Sequence, residues 1–181
     1  MRYFALALMA AGIASAHAAA PIDPAKAFAA IYMQTCVQFA DNAEGLAEML
    51  DDRQTPRFPD DRIKAFLPDG KGIVWDVGTV AGPFAVALRT NRNCSVYAKQ
   101  MNPDAAVREF ATVTDLLTKN GFIVQKGMDE TGSVPTAVGV RTITYTAGRS
   151  AESRRLLLTL TTTKAPQAGI QAMFSVAVVA K

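Results

Sequence analysis

Two periods of hydrophobic and polar alternation run along this chain, and the change from one to the other divides it. From Asp23 to about Ala40 apolar residues return every three or four positions, so that Phe28, Ile31, Thr35 or Cys36, and Phe39 share one helix face. Asp23 suits the N-cap and Pro24 the first helical position, where a missing N–H costs nothing. Asp41 or Asn42 then caps a second, shorter helix with Leu46, Met49 and Leu50 as its stripe. Residues 51–72 hold Pro56, Pro59, Pro68, Gly70 and Gly72 among charged residues and read as a linker inside the domain. Asp60 is placed to cap one helical turn through Ile63, Ala65 and Phe66.

The period then drops to two. Ile73–Val77, Phe84–Arg89 and Cys94–Ala98 are strand candidates joined by short turn-rich loops, which implies antiparallel neighbours in a meander. Asn102 caps and Pro103 opens a second long helix, with Val107, Phe110, Val113 or Thr114, and Leu117 on its buried face. Lys119 suits the end of its dipole, and Gly121 after Asn120 is a left-handed stop. Phe122–Gln125 reads as a short strand and Met128–Ser133 as a polar loop. Long β-branched strands follow at 136–147, 154–163 and 170–180. Thr159, Thr161 and Thr163 line one face of theirs and read as half exposed. In the last strand Phe174, Val176 and Val178 make one apolar face and Met173, Ala177 and Val179 the other, which marks a central strand. The order ααβββαββββ predicts an α+β domain. It is an antiparallel sheet of about seven strands, with the N-terminal helices and one central helix packed on one face. The helix at 103–119 is expected to lie beside the first. Several unrelated small folds share this order, so it names no function.

The first 18 residues stand outside this pattern. Arg2, the apolar run Tyr3–Ile13 and the small residues Ala16 and Ala18 make a secretory signal, with cleavage expected before Ala19. The run is too short to span a bilayer, and no cysteine near the cut offers a lipid anchor. The expected product is a single domain over 19–181, about 160 residues long and suited to one core, exported to the periplasm or beyond.

Export changes the chemical inventory. The only histidine is His17, so a processed chain has none. That removes Ser-His-Asp and Cys-His catalysis and nearly all zinc and transition-metal sites. The net charge of +3 is small and dispersed, which gives no case for nucleic acid. No cofactor motif is present, and no second apolar segment is long enough to span a membrane. Two cysteines in an oxidising compartment, Cys36 and Cys94, point to one disulfide joining the first helix to the first sheet, with free or catalytic thiols as the alternative.

The remaining chemistry is sparse. The acidic doublets are Asp51/Asp52, Asp60/Asp61 and Asp129/Glu130, all in expected loops. Adjacent residues point different ways, so each doublet supplies at most one carboxyl to a hydrolytic pair. Ser95 and Lys99, four apart along a strand, are the one conceivable Ser–Lys dyad. Arg53, Arg57 and Arg62 are either a local anion-attracting patch or a solvated loop. Trp75, the single tryptophan, shares a face with Ile73 and Val77 and belongs to the core or floors a pocket. With Tyr97 it is the candidate binding surface.

Phe28…Cys36…Phe39, Gly72-Ile73-Val74-Trp75, and Val86-Ala87-Leu88 followed by Cys94-Ser95-Val96 together resemble a group of small exported bacterial envelope proteins of unknown function. The likeness spans residues 25 to 100 and rests on two cysteines and one tryptophan. It implies an envelope location and a Cys36–Cys94 bridge, and it carries no activity. The expected function is a non-enzymatic binding or accessory module, serving an envelope protein or a small ligand and needing no metal or cofactor. The alternative is an envelope-polymer hydrolase using carboxylates or the Ser–Lys dyad.

Overall fold

A computed structural model describes residues 22–134, 137–150 and 152–180. The expected signal and its cleavage site lie outside these residues.

Helix α1 spans Pro24–Tyr32, and the Asp23 carboxylate accepts from the Ala25 N–H at 2.9 Å as its cap. It runs directly into a π-helical turn, Met33–Val37. A π turn holds an extra residue, and here Thr35 and Cys36 are both buried where the sequence offered one or the other. Helix α2, Ala43–Asp52, is capped by Asn42 and buries Leu46 and Leu50. Helix α4, Pro103–Lys119, is capped by Asn102 and stopped at Gly121, whose φ of +83° is the left-handed conformation expected there.

Seven strands form one sheet: β1 (Gly72–Asp76), β2 (Phe84–Arg89), β3 (Cys94–Ala98), β4 (Ile123–Val134), β5 (Ala137–Gly148), β6 (Arg154–Thr163) and β7 (Ala172–Ala180). Their order is β1-β2-β3-β7-β6-β5-β4, every pair antiparallel. The last strand therefore lies in the middle, as its two apolar faces require.

Helices α1, α2 and α4 cover one face of the sheet. Phe28, Tyr32, Phe110, Trp75 and Phe174 are fully or almost fully buried between the layers. The Phe174 ring stands 4.4 Å from Phe28, 5.2 Å from Tyr32 and 5.0 Å from Phe110, so the central strand is where α1 and α4 meet. Tyr32 donates to the Ser175 carbonyl at 2.8 Å, which satisfies a phenol sunk entirely in the core. The Cys36–Cys94 disulfide fastens the π turn to the first residue of β3, with Cα atoms 5.2 Å apart.

Three expectations are corrected. Residues 51–72 are not merely a linker. They hold α3, Asp60–Ile63, and place Ile63, Phe66 and Leu67 with Val74, Ala85, Ala87 and Tyr97 in a second core on the opposite face of β1–β3. Met128–Ser133 is not a loop but the middle of β4. Asp129 on it is pinned to Arg141 on β5 at 2.9 and 3.0 Å. Thr163 is buried, unlike its half-buried neighbours Thr159 and Thr161.

The two edges of the sheet differ. Along β1 the segment at Pro56–Phe58 seals the free side: Phe58 donates to the Val74 carbonyl at 2.8 Å and Asp76 to the Pro56 carbonyl at 2.7 Å. The outer side of β4 stays open, but its register breaks twice, at Lys126/Asp129 and Gly132/Ser133. Such bulges twist an edge away from a flat partner.

Candidate functional site

The first candidate surface divides between the two faces of the sheet. Trp75 pairs with Val86 in a row that continues through Val96 to Phe174, all under the helices. Its relative exposure is 0 %, so it presents no area to a partner. Its indole N–H donates to Asp51 Oδ1 at 3.0 Å, at the last turn of α2. Arg57 Nε reaches the same oxygen at 3.0 Å, and the guanidinium lies 5.7 Å from the Trp75 ring centroid. Asp51 is therefore a structural acceptor; its hydrogen bonds from Arg57 first, then Trp75, hold its carboxyl below the usual range. Arg62 is likewise spent, stacked 4.8 Å from the Phe58 ring. Arg57 and Arg62 thus do not combine into an open anion patch.

Tyr97 lies on the other face, opposite Ala85 and Met173, and is 5 % exposed. Its hydroxyl donates to the Phe66 carbonyl at 2.9 Å, and burial pushes the phenol up. It lines a small cleft of about 190 Å³ with Phe58, Phe66 and Lys99.

The hydrolytic candidates are also separated. Ser95 and Lys99 are four residues apart along an extended segment, about 13 Å at the rise of a strand, with Tyr97 between them. Ser95 is buried beneath the second core's side of the sheet. The acidic doublets, expected in loops, sit in regular elements: Asp51/Asp52 close α2, Asp60/Asp61 open α3, and Asp129/Glu130 lie in β4. Asp129 points to the helix side with Ile143, Glu130 to the other with Thr142. Arg141 first, then Lys126 at 2.8 Å, hold the Asp129 carboxyl well below the usual range. Among the described residues no three His, Cys, Asp or Glu side chains gather as a metal site would need.

A further concavity among the described residues is one that sequence periodicity did not single out. It opens between the corner joining α1 to α2 and the ends of β5 and β6, with a volume of about 500 Å³. Val37, Phe122, Ala147, Leu156 and Val178 give it apolar lining; Asp41, Glu152, Arg154 and Arg155 are charged lining residues. Arg149 lies 4.9 Å from the Phe122 ring centroid. Asp41 is 3.2 Å from Arg154, both well exposed, and both residues, with Ala40 and Val178, also line a second cleft of about 280 Å³ beside Asn91, Arg92, Val179 and Ala180. Asp41 and Glu152 are both exposed, outside the apolar enclosure that prepares a carboxyl to act as an acid. The arrangement suits noncovalent binding: an apolar body on the lining, with polar ends at the charged residues. The only sequence signal for it is the charge cluster from Arg149 to Arg155 before an apolar run, and nothing in that cluster places it opposite Asp41.

Comparison with known proteins adds no relative: no family model matches the sequence, and neither a curated protein nor a solved structure matches it.

Proposed function

We propose that this chain is an exported, non-enzymatic binding module of the cell envelope, working in the periplasm or outside the cell. The cleft at the α1–α2 corner, lined by apolar and polar residues alike, is its binding site. The observation that carries the reading is the pairing of that cleft with the dispersal of every hydrolytic candidate. The internal disulfide supports export, since such bonds persist in oxidising compartments. No described helix is long and apolar enough to cross a membrane.

Native mass spectrometry of the protein taken from its own envelope tests this. A bound partner or ligand is expected as a mass increment. Ser153→Trp, which places a ring at the mouth from an exposed position, is expected to remove it. Turnover of a cell-wall or lipid substrate, abolished by Asp41→Asn or Glu152→Gln, overturns the reading in favour of a hydrolase.

A further inference from the structure

We propose that two copies of this chain pair through the outer face of β4–β7, sheet on sheet, as a weak two-fold dimer. The inference goes beyond the cleft and does not rest on it.

The second core covers β1–β3 and ends at Met173 on β7. Past it, the registered pairs Thr142–Thr161, Thr144–Thr159 and Thr146–Leu157 form the centre of the same face. They alternate with Ile143, Leu158 and Leu160 of the main core, so their side chains leave the sheet on the side away from α1 and α4. All six are half-buried and none carries a charge. Glu130, opposite Thr142, and Arg155, hydrogen-bonded to Gln125 at 3.1 Å, stand at the margins. A neutral centre inside a charged rim is the anatomy of a protein contact surface.

The chemistry of that centre selects the partner. A two-fold contact sets a surface against itself. Like charges then repel, whereas a hydroxyl both donates and accepts and so matches its own kind. The Thr144 hydroxyl accepts from the Met128 N–H at 2.8 Å. Those of Thr142, Thr146, Thr159 and Thr161 make no hydrogen bond among the described residues, which leaves them for a partner. Shape agrees, because a twisted sheet packs face to face on another of the same hand at about 30°. Size sets the strength. Four strands by about seven residues make roughly 450 Å² of flat sheet per copy, or about 900 Å² for a pair, before side-chain relief is added. That exceeds the ~800 Å² of most crystal contacts and falls short of a standard interface of ~1,600 Å², so the dimer is reversible and concentration-dependent.

Sedimentation equilibrium of the exported, disulfide-bonded protein at up to about 1 mM tests this. The wild type is expected to rise toward twice its monomer mass with concentration. Thr159→Arg brings two like charges to the middle of the contact and is expected to weaken association at least about tenfold. Thr144→Arg, on the next strand, carries the same expectation should the first variant misfold, and circular dichroism checks both. Leu116→Arg, exposed on the helix side, and Ser153→Trp, at the mouth of the cleft, are expected to leave the dimer intact. A monomer at every concentration overturns the proposal. So does a dimer that survives both threonine variants, or one lost to Leu116→Arg or Ser153→Trp. A monomer that still carries a passenger out of the envelope leaves the binding reading standing while this one falls; a dimer without a passenger does the reverse.

Discussion

Trp75 shows how one side chain can look functional in sequence and prove structural in place. A lone tryptophan on an alternating strand has one polar atom to satisfy when buried, and here Asp51 accepts from it across 24 positions of sequence. Asp51→Ala leaves that indole N–H unpaired in the core. The expected result is a lower midpoint in denaturant unfolding. Asp51→Asn keeps an acceptor and is expected to lose less. The charge matters at low pH. The folded-state values of Asp51 and Asp129 are both depressed, by Arg57 and Arg141 respectively before their other partners. Their stabilisation is therefore complete above the unfolded carboxylate value of about 3.9 and disappears as pH falls below it. Denaturation midpoints are expected to hold between about pH 7 and 5 and to drop below about 4. A double variant, Asp51→Asn with Asp129→Asn, should show a shallower drop.

At the level of elements, legibility tracked how local the cause was. Asp23-Pro24, Asn102-Pro103 and Asn120-Gly121 fix the ends of α1 and α4 through contacts only a few residues away, and all three behave as the sequence indicates. The two apolar faces of 172–180 likewise announce a central strand. β4 escaped because Asp129, Glu130 and Gly132 carry little β-propensity; Arg141, on a different strand, holds Asp129 in the ladder. The second core escaped because the breakers between Pro56 and Gly72 conceal Ile63, Phe66 and Leu67, which become a layer only once β1–β3 lie beneath them. The disulfide also acts between elements. It closes a separation of 58 residues, worth roughly 4 kcal/mol by chain entropy. Cys94→Ser or reduction is expected to lower the melting temperature by many degrees; two free thiols on non-reducing peptide mapping of exported protein contradict the bond.

For the whole molecule, the decisive question is where it works. An exported chain is expected to begin at Ala19, and intact-mass measurement of secreted protein checks this; a retained Met1 removes the ground for an envelope location. The cleft at the α1–α2 corner was illegible in sequence because its lining comes from five separate segments: that corner, Phe122 after α4, Ala147 on β5, the turn and strand at 152–156, and Val178 on β7.

The position of β7 has a consequence for time as well as shape. β3 and β6 have no ladder with each other; β7 alone bridges the meander of β1–β3 to the strands β4–β6. Phe174, where α1 and α4 meet, is also on β7. Until the final dozen or so residues emerge, the chain holds two half-sheets with no seam between them and no centre for its core. Such a polypeptide stays threadable through a narrow pore for nearly its whole length. Under the export proposed above, it would close only once its tail is across, on the side where Cys36 and Cys94 can be oxidised.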